Sequence, residues 1–294
     1  MMPMPGRWLS CALVRCGPSL TLLDCGEGTQ VPWKALGWGF RQLGAICFTH
    51  MHADHVLGLP GVLFMVAHAG RTEPLDIYGP QGTGYIVEGL RRVVPELPFP
   101  VRIHELRGGE QFGLPGGLRG SCGAASHNIP CLAYRLERER APAFQPERAR
   151  ALGLPVQLWS RLQHGETVEY DGQSITPERV LGPPRRGISL AFITDTRPTR
   201  ALSEFARDVD LLVCESMYDD PEDLPLAKAH AHMLAEEAAS IASAAGAQAL
   251  VLTHFSPKIN DPSRAEKAAR RIFADTRAAR DGMVISLGYR DEDL

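Results

Sequence analysis

The hexapeptide His50-Met51-His52-Ala53-Asp54-His55 constrains this chain more than any other feature. It stands directly after the apolar run Ala45-Ile46-Cys47-Phe48-Thr49. Imidazole and carboxylate suit zinc and other divalent transition metals. Ligand-type residues at i, i+2, i+4 and i+5 cannot share one helix face, so the segment is expected to wrap as a loop around what it binds. Four such groups are many for a single ion with an open position. Two adjacent ions fit better, as in hydrolytic sites whose metals lie about 3.5–4 Å apart. The competing reading, a polar strand-to-helix loop with chance histidines, is disfavoured by the strand that precedes it.

Further candidates stand at matching places. His127 lies in Ala124-Ala125-Ser126-His127-Asn128-Ile129-Pro130, Asp195 follows the apolar stretch from Ile188 to Thr194, and His254 follows Ala249-Leu250-Val251-Leu252-Thr253. Asp195 and His254 each end a β-like run, as His50 does. In layered α/β proteins strand ends are where sites assemble, because the sheet fixes side chains that loops then surround. Each residue alone reads as an ordinary polar strand end; with the hexapeptide they form a constellation.

His-x-His-x-Asp-His followed by spaced His, Asp and His resembles the metallo-β-lactamase fold. Within it, several segments resemble ribonuclease Z, the tRNA 3′-processing endonuclease family: Leu23 to Gln30 (LDCGEGTQ), Thr49 to Gly61 (THMHADHVLGLPG), Ser126-His127-Asn128-Ile129-Pro130, Asp195-Thr196-Arg197 and Thr253-His254. The similarity runs over nearly the whole chain. The long motif with its Gly-Leu-Pro-Gly tail is fairly specific, and the shorter pieces are weak singly.

The resemblance implies a zinc-dependent endoribonuclease that removes the 3′ trailer from precursor tRNA. It implies two divalent cations per chain, zinc or alternatively manganese. One would be held by His50, His52 and His127, the other by Asp54, His55 and His254, with Asp195 between them. It also implies a catalytic role for Asp54, a proton donor at His232 in Lys228-Ala229-His230-Ala231-His232, and Glu215 as the partner of His232. From the residues alone, His230 and His232 read equally well as solvent-facing helix caps. His68, His104 and His164 are expected at the surface. A cytoplasmic homodimer is implied as the working form.

The sequence departs from the family in places that concern tRNA handling and leave the metal residues untouched. It begins at Met1-Met2-Pro3-Met4-Pro5-Gly6-Arg7, where the family has a first strand and a Gly-rich turn beforehand. Pro5 stands where the family's CCA-end loop has Lys, with Arg7 retained, and Val156-Gln157 replace a Gly-Pro pair in the RNA-gripping arm.

Hydrophobic content of 44% and charged content of 22% read as globular. Apolar runs fall short of the ~18–20 residues of a membrane span, and no basic segment leads into an apolar core as in a signal peptide. The seven cysteines lack Cys-x-x-Cys spacing and read as reduced, mostly buried thiols. A net charge of −3 excludes an indiscriminate polycation. Locally, six arginines face three glutamates between Arg135 and Arg161. Charge alone favours a solvated arginine-rich helix face there.

The expected fold is α/β: a metallo-β-lactamase-like αββα sandwich of two mixed sheets with outer helices and an inserted protruding arm. Residues 1–294 form one domain, and 137–186, charged and out of step with the α/β rhythm, form a tRNA-binding arm within it. Val156, Trp159 and Leu162 are expected to make the arm's small core, and Met283–Leu287 a last strand. The competing functions are a two-metal hydrolase of small phosphodiesters, aryl esters or lactones, and an RNA-binding protein with a silent site. The arm argues against the first, since a small substrate does not need it, and the complete ligand set argues against the second.

Overall fold

The chain opens with a tight hairpin. β1 (Ala12–Cys16) and β2 (Ser19–Leu23) pair antiparallel across Gly17-Pro18, and Gly17 has the positive φ of 59° that a two-residue hairpin loop needs at its first position. A computed structural model describes residues 2–94 and 96–289. β3 (Leu43–Cys47) is buried at every residue, as an apolar run flanked by parallel neighbours should be. It lies parallel between β2 and β4 (Leu75–Gly79), and β5 (Val101–Glu105) closes a five-stranded sheet of order β1-β2-β3-β4-β5. The connections carry α1 (Gln30–Ala35), α2 (Ala53–Val56), α3 (Leu59–His68) and α4 (Thr83–Arg91). α3 buries Val62, Leu63 and Val66 in one cluster with Leu22, Ile46 and Ile77 of the sheet.

The second sheet begins with β6 (Gln111–Leu114), β7 (Leu118–Ala124) and β8 (Leu132–Arg140), paired antiparallel. After α5 (Pro146–Ala151), α6 (Val156–Gln163), β9 (Val168–Tyr170) and β10 (Gln173–Ile175) it resumes with β11 (Arg185–Ile193), β12 (Leu211–Glu215), β13 (Leu250–Thr253) and β14 (Thr276–Ala278). The strand order is β14-β13-β12-β11-β8-β7-β6, with β11 to β14 parallel. α7 (Arg200–Phe205), α8 (Leu224–His230), α9 (Ala235–Ala245) and α10 (Ser263–Arg270) accompany this half. α9 packs an alanine face, Ala235, Ala238, Ala239, Ala242 and Ala245, with Leu212 and Leu250. Short side chains let helix and sheet approach closely.

The two mixed sheets with flanking helices are the layers expected from the sequence. Aromatic rings join them: Tyr78 of β4 stacks on Phe112 of β6 at 4.4 Å, and Phe112 meets Tyr134 of β8 edge-on at 6.2 Å. The Tyr134 hydroxyl donates to the Phe48 carbonyl at 2.7 Å, satisfying the one polar atom of a fully buried ring.

Residues 139–188, with 287–289, form a second compact unit. Its own core holds Ala149, Leu154, Leu162, Val168, Ile175 and Val180, with Leu158 and Trp159 packed against them. The β9–β10 hairpin turns on Asp171-Gly172, both at positive φ, the backbone that an Asp-Gly turn adopts readily.

Two expectations need correction. Val156 is 67% exposed: it starts α6 directly after Pro155, and the helix turns Leu158, Trp159 and Leu162 inward instead. Met283–Leu287 is not a strand. Its place is taken by Thr276–Ala278, which pairs with β13 through buried Thr276 and Ala278. Gly282, at φ 76°, sits in a turn closed by Met283 N–H to the Arg280 carbonyl, and Val284 is 55% exposed.

Candidate metal centre

Strand ends deliver the predicted residues to one place. β3 runs into Thr49 and His50. His52 caps α2, which carries Asp54 and His55. The hexapeptide is therefore a loop that tightens into one helical turn. It is sewn to the end of β2 by Cys25 N–H to the His55 carbonyl at 2.7 Å and Gly58 N–H to the Cys25 carbonyl at 2.8 Å. Asp195 follows β11, His254 follows β13, and His127 lies between β7 and β8. Of the six non-glycine residues at positive φ among the described residues, Asp24, Asp195, Ala231 and His254 all belong to this region. Such backbone costs energy, so its strain is concentrated where these side chains are aimed.

The donor atoms form two groups that share one carboxylate. In the first, His52 Nδ1 lies 3.0 Å from His50 Nε2 and 3.3 Å from His127 Nε2. Asp195 Oδ2 lies 3.5 Å from His50 Nε2 and 3.9 Å from His127 Nε2. In the second, His55 Nε2 and His254 Nε2 are 3.1 Å apart. Asp54 Oδ2 is 3.6 and 3.5 Å from them, and Asp195 Oδ1 is 3.4 and 3.2 Å from them. Ligands about 2.0–2.1 Å from a tetrahedral ion stand roughly 3.3 Å from one another, close to these separations. Asp195 Oδ1 is buried without a hydrogen-bond partner, an arrangement that is costly unless a cation completes it. Both groups are thus compatible with divalent metal binding.

The opposite ring nitrogens of His55, His50 and His127 are held from outside. His55 Nδ1 donates to Asp24 Oδ2 at 2.8 Å. Asp24 also accepts from the Thr49 amide at 2.7 Å and from the Thr49 hydroxyl. That hydroxyl, its proton committed to Asp24, accepts from His50 Nδ1 at 3.0 Å. His127 Nδ1 donates to the Ala231 carbonyl at 3.2 Å. These bonds fix the tautomers so that Nε2 lone pairs point into the centre.

Electrostatics agree. Burial, reinforced by His55, pushes the His50 pKa down to about 2, and burial also lowers His52 and His127. All three are neutral, ligand-ready imidazoles near pH 7. Burial would raise the Asp54 carboxyl, but His254 and His55 more than offset it and hold it well below the usual range. Burial would lower His55, yet Asp195 and Asp24 outweigh it and raise its pKa. The second group therefore attracts positive charge, which a proton or a metal ion can supply.

Beside the centre lies His232. Its Nδ1 is 3.1 and 3.2 Å from the two oxygens of Glu215. Glu215 is itself buried and accepts from the Thr196 amide at 2.6 Å and the Met233 amide at 3.3 Å. Burial lowers the His232 pKa, but the Glu215 hydrogen bond and charge overcome it and raise it above 6.5. His232 is thus not a solvent-facing cap. His230 is exposed, yet it lines the same cleft as His52, Asp54, His127, His232 and His254. His68 and His164 are exposed as expected, whereas His104 is half-buried, bonded to Asp76 at 2.8 Å and stacked on Tyr78.

Sequence reasoning gave no role to Asp24, Thr49, Asn128, Thr196, Met217 or Tyr218. Asp24 carried the signal used for Asp195, a carboxylate ending an apolar strand. The cleft wall formed by Asn128, Met217 and Tyr218 had no such signal, because it depends on how separate loops meet.

A family model for the beta-lactamase superfamily domain matches residues 13–255. The ribonuclease Z of Lachnoclostridium phytofermentans is 40% identical over 289 residues, spanning 98% of this chain and 95% of that protein. The ribonuclease Z of Agathobacter rectalis is 41% identical over 293 residues, spanning 100% and 96%. Among solved structures, the short form of human tRNase Z superimposes with a TM-score of 0.67 at 22% identity, covering 98% of this chain and 96% of that one, a likeness in fold. By sequence along nearly its whole length, the chain belongs to the ribonuclease Z family within the metallo-β-lactamase fold.

Proposed function

We propose that this chain is a metal-dependent endoribonuclease that removes the 3′ trailer from precursor tRNA, working with two divalent cations, zinc or manganese. The observation that carries the proposal is Asp195: one of its oxygens faces His50 and His127, the other His55 and His254. His50, His52 and His127 would hold one ion, Asp54, His55 and His254 the other, and Asp195 both. Such ions supply Lewis-acid charge at a phosphodiester and lower the pKa of an attacking water towards neutrality.

The protein's own groups do the rest. Asp24 and Thr49 hold the rings of His55 and His50 at fixed tautomers. Attack at phosphorus breaks the bond to the 3′ oxygen, a poor leaving group that needs a proton. His232 donates it: Glu215 holds Nδ1, which leaves Nε2 for the substrate, and the raised pKa lets the ring keep its proton to higher pH than a free imidazole. The proton moves from Nε2 to the 3′ oxygen and leaves a 3′-hydroxyl on the tRNA.

Residues 137–186 form the arm of this proposal. Phosphate contacts far from the cut position a substrate without reading its sequence. A homodimer is part of the same reading. Among the described residues no helix is long and apolar enough to cross a membrane, and the free cysteines, six of them buried, fit a reducing, cytoplasmic setting.

The test is to incubate metal-loaded protein with a 3′-extended precursor tRNA and map the ends. One cut at the tRNA–trailer junction with a 3′-hydroxyl supports the proposal. Intact RNA, alongside rapid hydrolysis of small esters or lactones, overturns it.

A further inference from the structure

The tripeptide Asp195-Thr196-Arg197 does more than present Asp195. The Arg197 amide donates to the Ser126 carbonyl at 3.0 Å, and the Thr196 hydroxyl accepts from the Ser126 amide at 2.8 Å, which fastens the segment leading into His127. The Thr196 amide donates to Glu215. The Arg197 guanidinium then reaches the His232 segment and Glu237 of α9. Nη1 donates to the main-chain carbonyl of His232 and, at 2.9 Å, to Glu237 Oε2, while Nη2 pairs with Glu237 Oε1. Glu237 Oε2 also accepts from the Leu234 amide at 2.9 Å. Arg197 and Glu237 side chains are only 20% and 22% exposed, so the pair is shielded more than a surface bridge and holds a defined geometry.

His232 needs such a hold. It follows Ala231, a non-glycine residue at φ 56°, and it leaves α8 through a single backbone bond from its amide to the Ala227 carbonyl at 2.8 Å. Glu215 fixes the ring at Nδ1, but a ring also swings with its backbone. The His232 carbonyl accepts a side-chain hydrogen bond from Arg197.

We propose that Arg197, braced by Glu237, is a positioning residue for the proton donor. It fixes the His232 backbone so that Nε2 meets the leaving oxygen, and it touches neither substrate nor metal. The proposal rests on His232 being the donor. Only Arg presents two parallel donors to a carboxylate while keeping one on a carbonyl, so Lys at this position keeps the charge and loses part of the clamp.

The experiment compares wild type, Arg197→Ala, Arg197→Lys, His232→Ala and Arg197→Ala/His232→Ala. Each is measured on a 3′-extended precursor tRNA and on a bis(4-nitrophenyl) phosphodiester, whose leaving group needs little protonation. Melting temperature and metal content are measured in parallel. Misplacement of a reacting group by an ångström costs up to about 10²-fold. Arg197→Ala is expected to lower kcat on precursor tRNA by roughly 10- to 10²-fold, with KM and metal content unchanged and the nitrophenyl rate nearly intact. Arg197→Lys should recover part of the loss, and the double variant should be no slower than His232→Ala. Equal losses on both substrates for Arg197→Lys, with normal metal and melting, overturn the proposal while leaving His232 as donor. If His232→Ala itself loses equally on both substrates, the donor assignment falls and this proposal with it. Should Arg197→Ala not fold, Arg197→Lys and Glu237→Gln decide by the same criterion.

Discussion

At His232 one carboxylate sets both orientation and charge. Glu215 raises the ring's pKa above 6.5 against the pull of burial. The sign follows: stabilisation from the pair is fully present below the unfolded value of about 6.5 and fades as pH rises through the raised folded value. As the proposed donor, a ring so held would keep its proton to higher pH than a free imidazole and lose function on the alkaline side. In Glu215→Gln the alkaline limb of the kcat profile should therefore move to lower pH, and an unmoved limb would detach it from His232. His232→Ala should slow precursor-tRNA cleavage by roughly 10²–10⁴-fold, the usual span for general acids, while elemental analysis finds metal content unchanged. Residues of this kind were partly legible in the sequence. His50, Asp195 and His254 announced themselves as ligand types ending apolar runs. Asp24 ends an apolar run too, but its role and that of Thr49 exist only once β2 and β3 lie side by side and bring residues 24, 49 and 55 together.

At the scale of elements, the loop-to-helix turn of the hexapeptide depends on close backbone approach. A Cβ on Gly58 would lie 2.1 Å from the Gly26 carbonyl oxygen and 2.8 Å from that of Cys25. Gly58→Ala should push α2 off the end of β2, cost about 1–3 kcal/mol as overpacking does, and weaken metal retention because Asp54 and His55 move with it. Denaturant titration and dialysis against a mild chelator would check both; an alanine variant as stable and as metal-tight as wild type would contradict the account. For the arm, deleting residues 141–169 should raise KM for precursor tRNA and flatten its salt dependence, since fewer phosphate contacts release fewer counterions. Hydrolysis of a small phosphodiester should hardly change. Equal loss on both substrates would instead mean a damaged fold. Element positions were legible where an apolar run was unbroken, as in β3 and β13. They failed where charge interrupted it: β14 is Thr-Arg-Ala with only the outer two residues buried, and the more apolar Met283–Leu287 drew the prediction in its place. In α6, helical spacing from Val156 ignored that a residue entering a helix after Pro155 need not face the core.

For the whole molecule, two sheets contribute to one site. β2 and β3 of the first sheet lead to Asp24 and the hexapeptide. β11 and β13 of the second lead to Asp195 and His254, and the β7–β8 connection brings His127. Neither sheet alone carries all the residues of either proposed cation site, so the layered fold is what brings them together. The central claim is that Asp195 joins two cation sites. The most direct measurement is anomalous scattering, at the zinc and manganese edges, from crystals of protein purified without chelator. The account predicts two peaks per chain, one among His50, His52 and His127 and one among Asp54, His55 and His254, with Asp195 beside both, and fewer ions in Asp195→Ala. A protein fully active on precursor tRNA with one peak or none would contradict it.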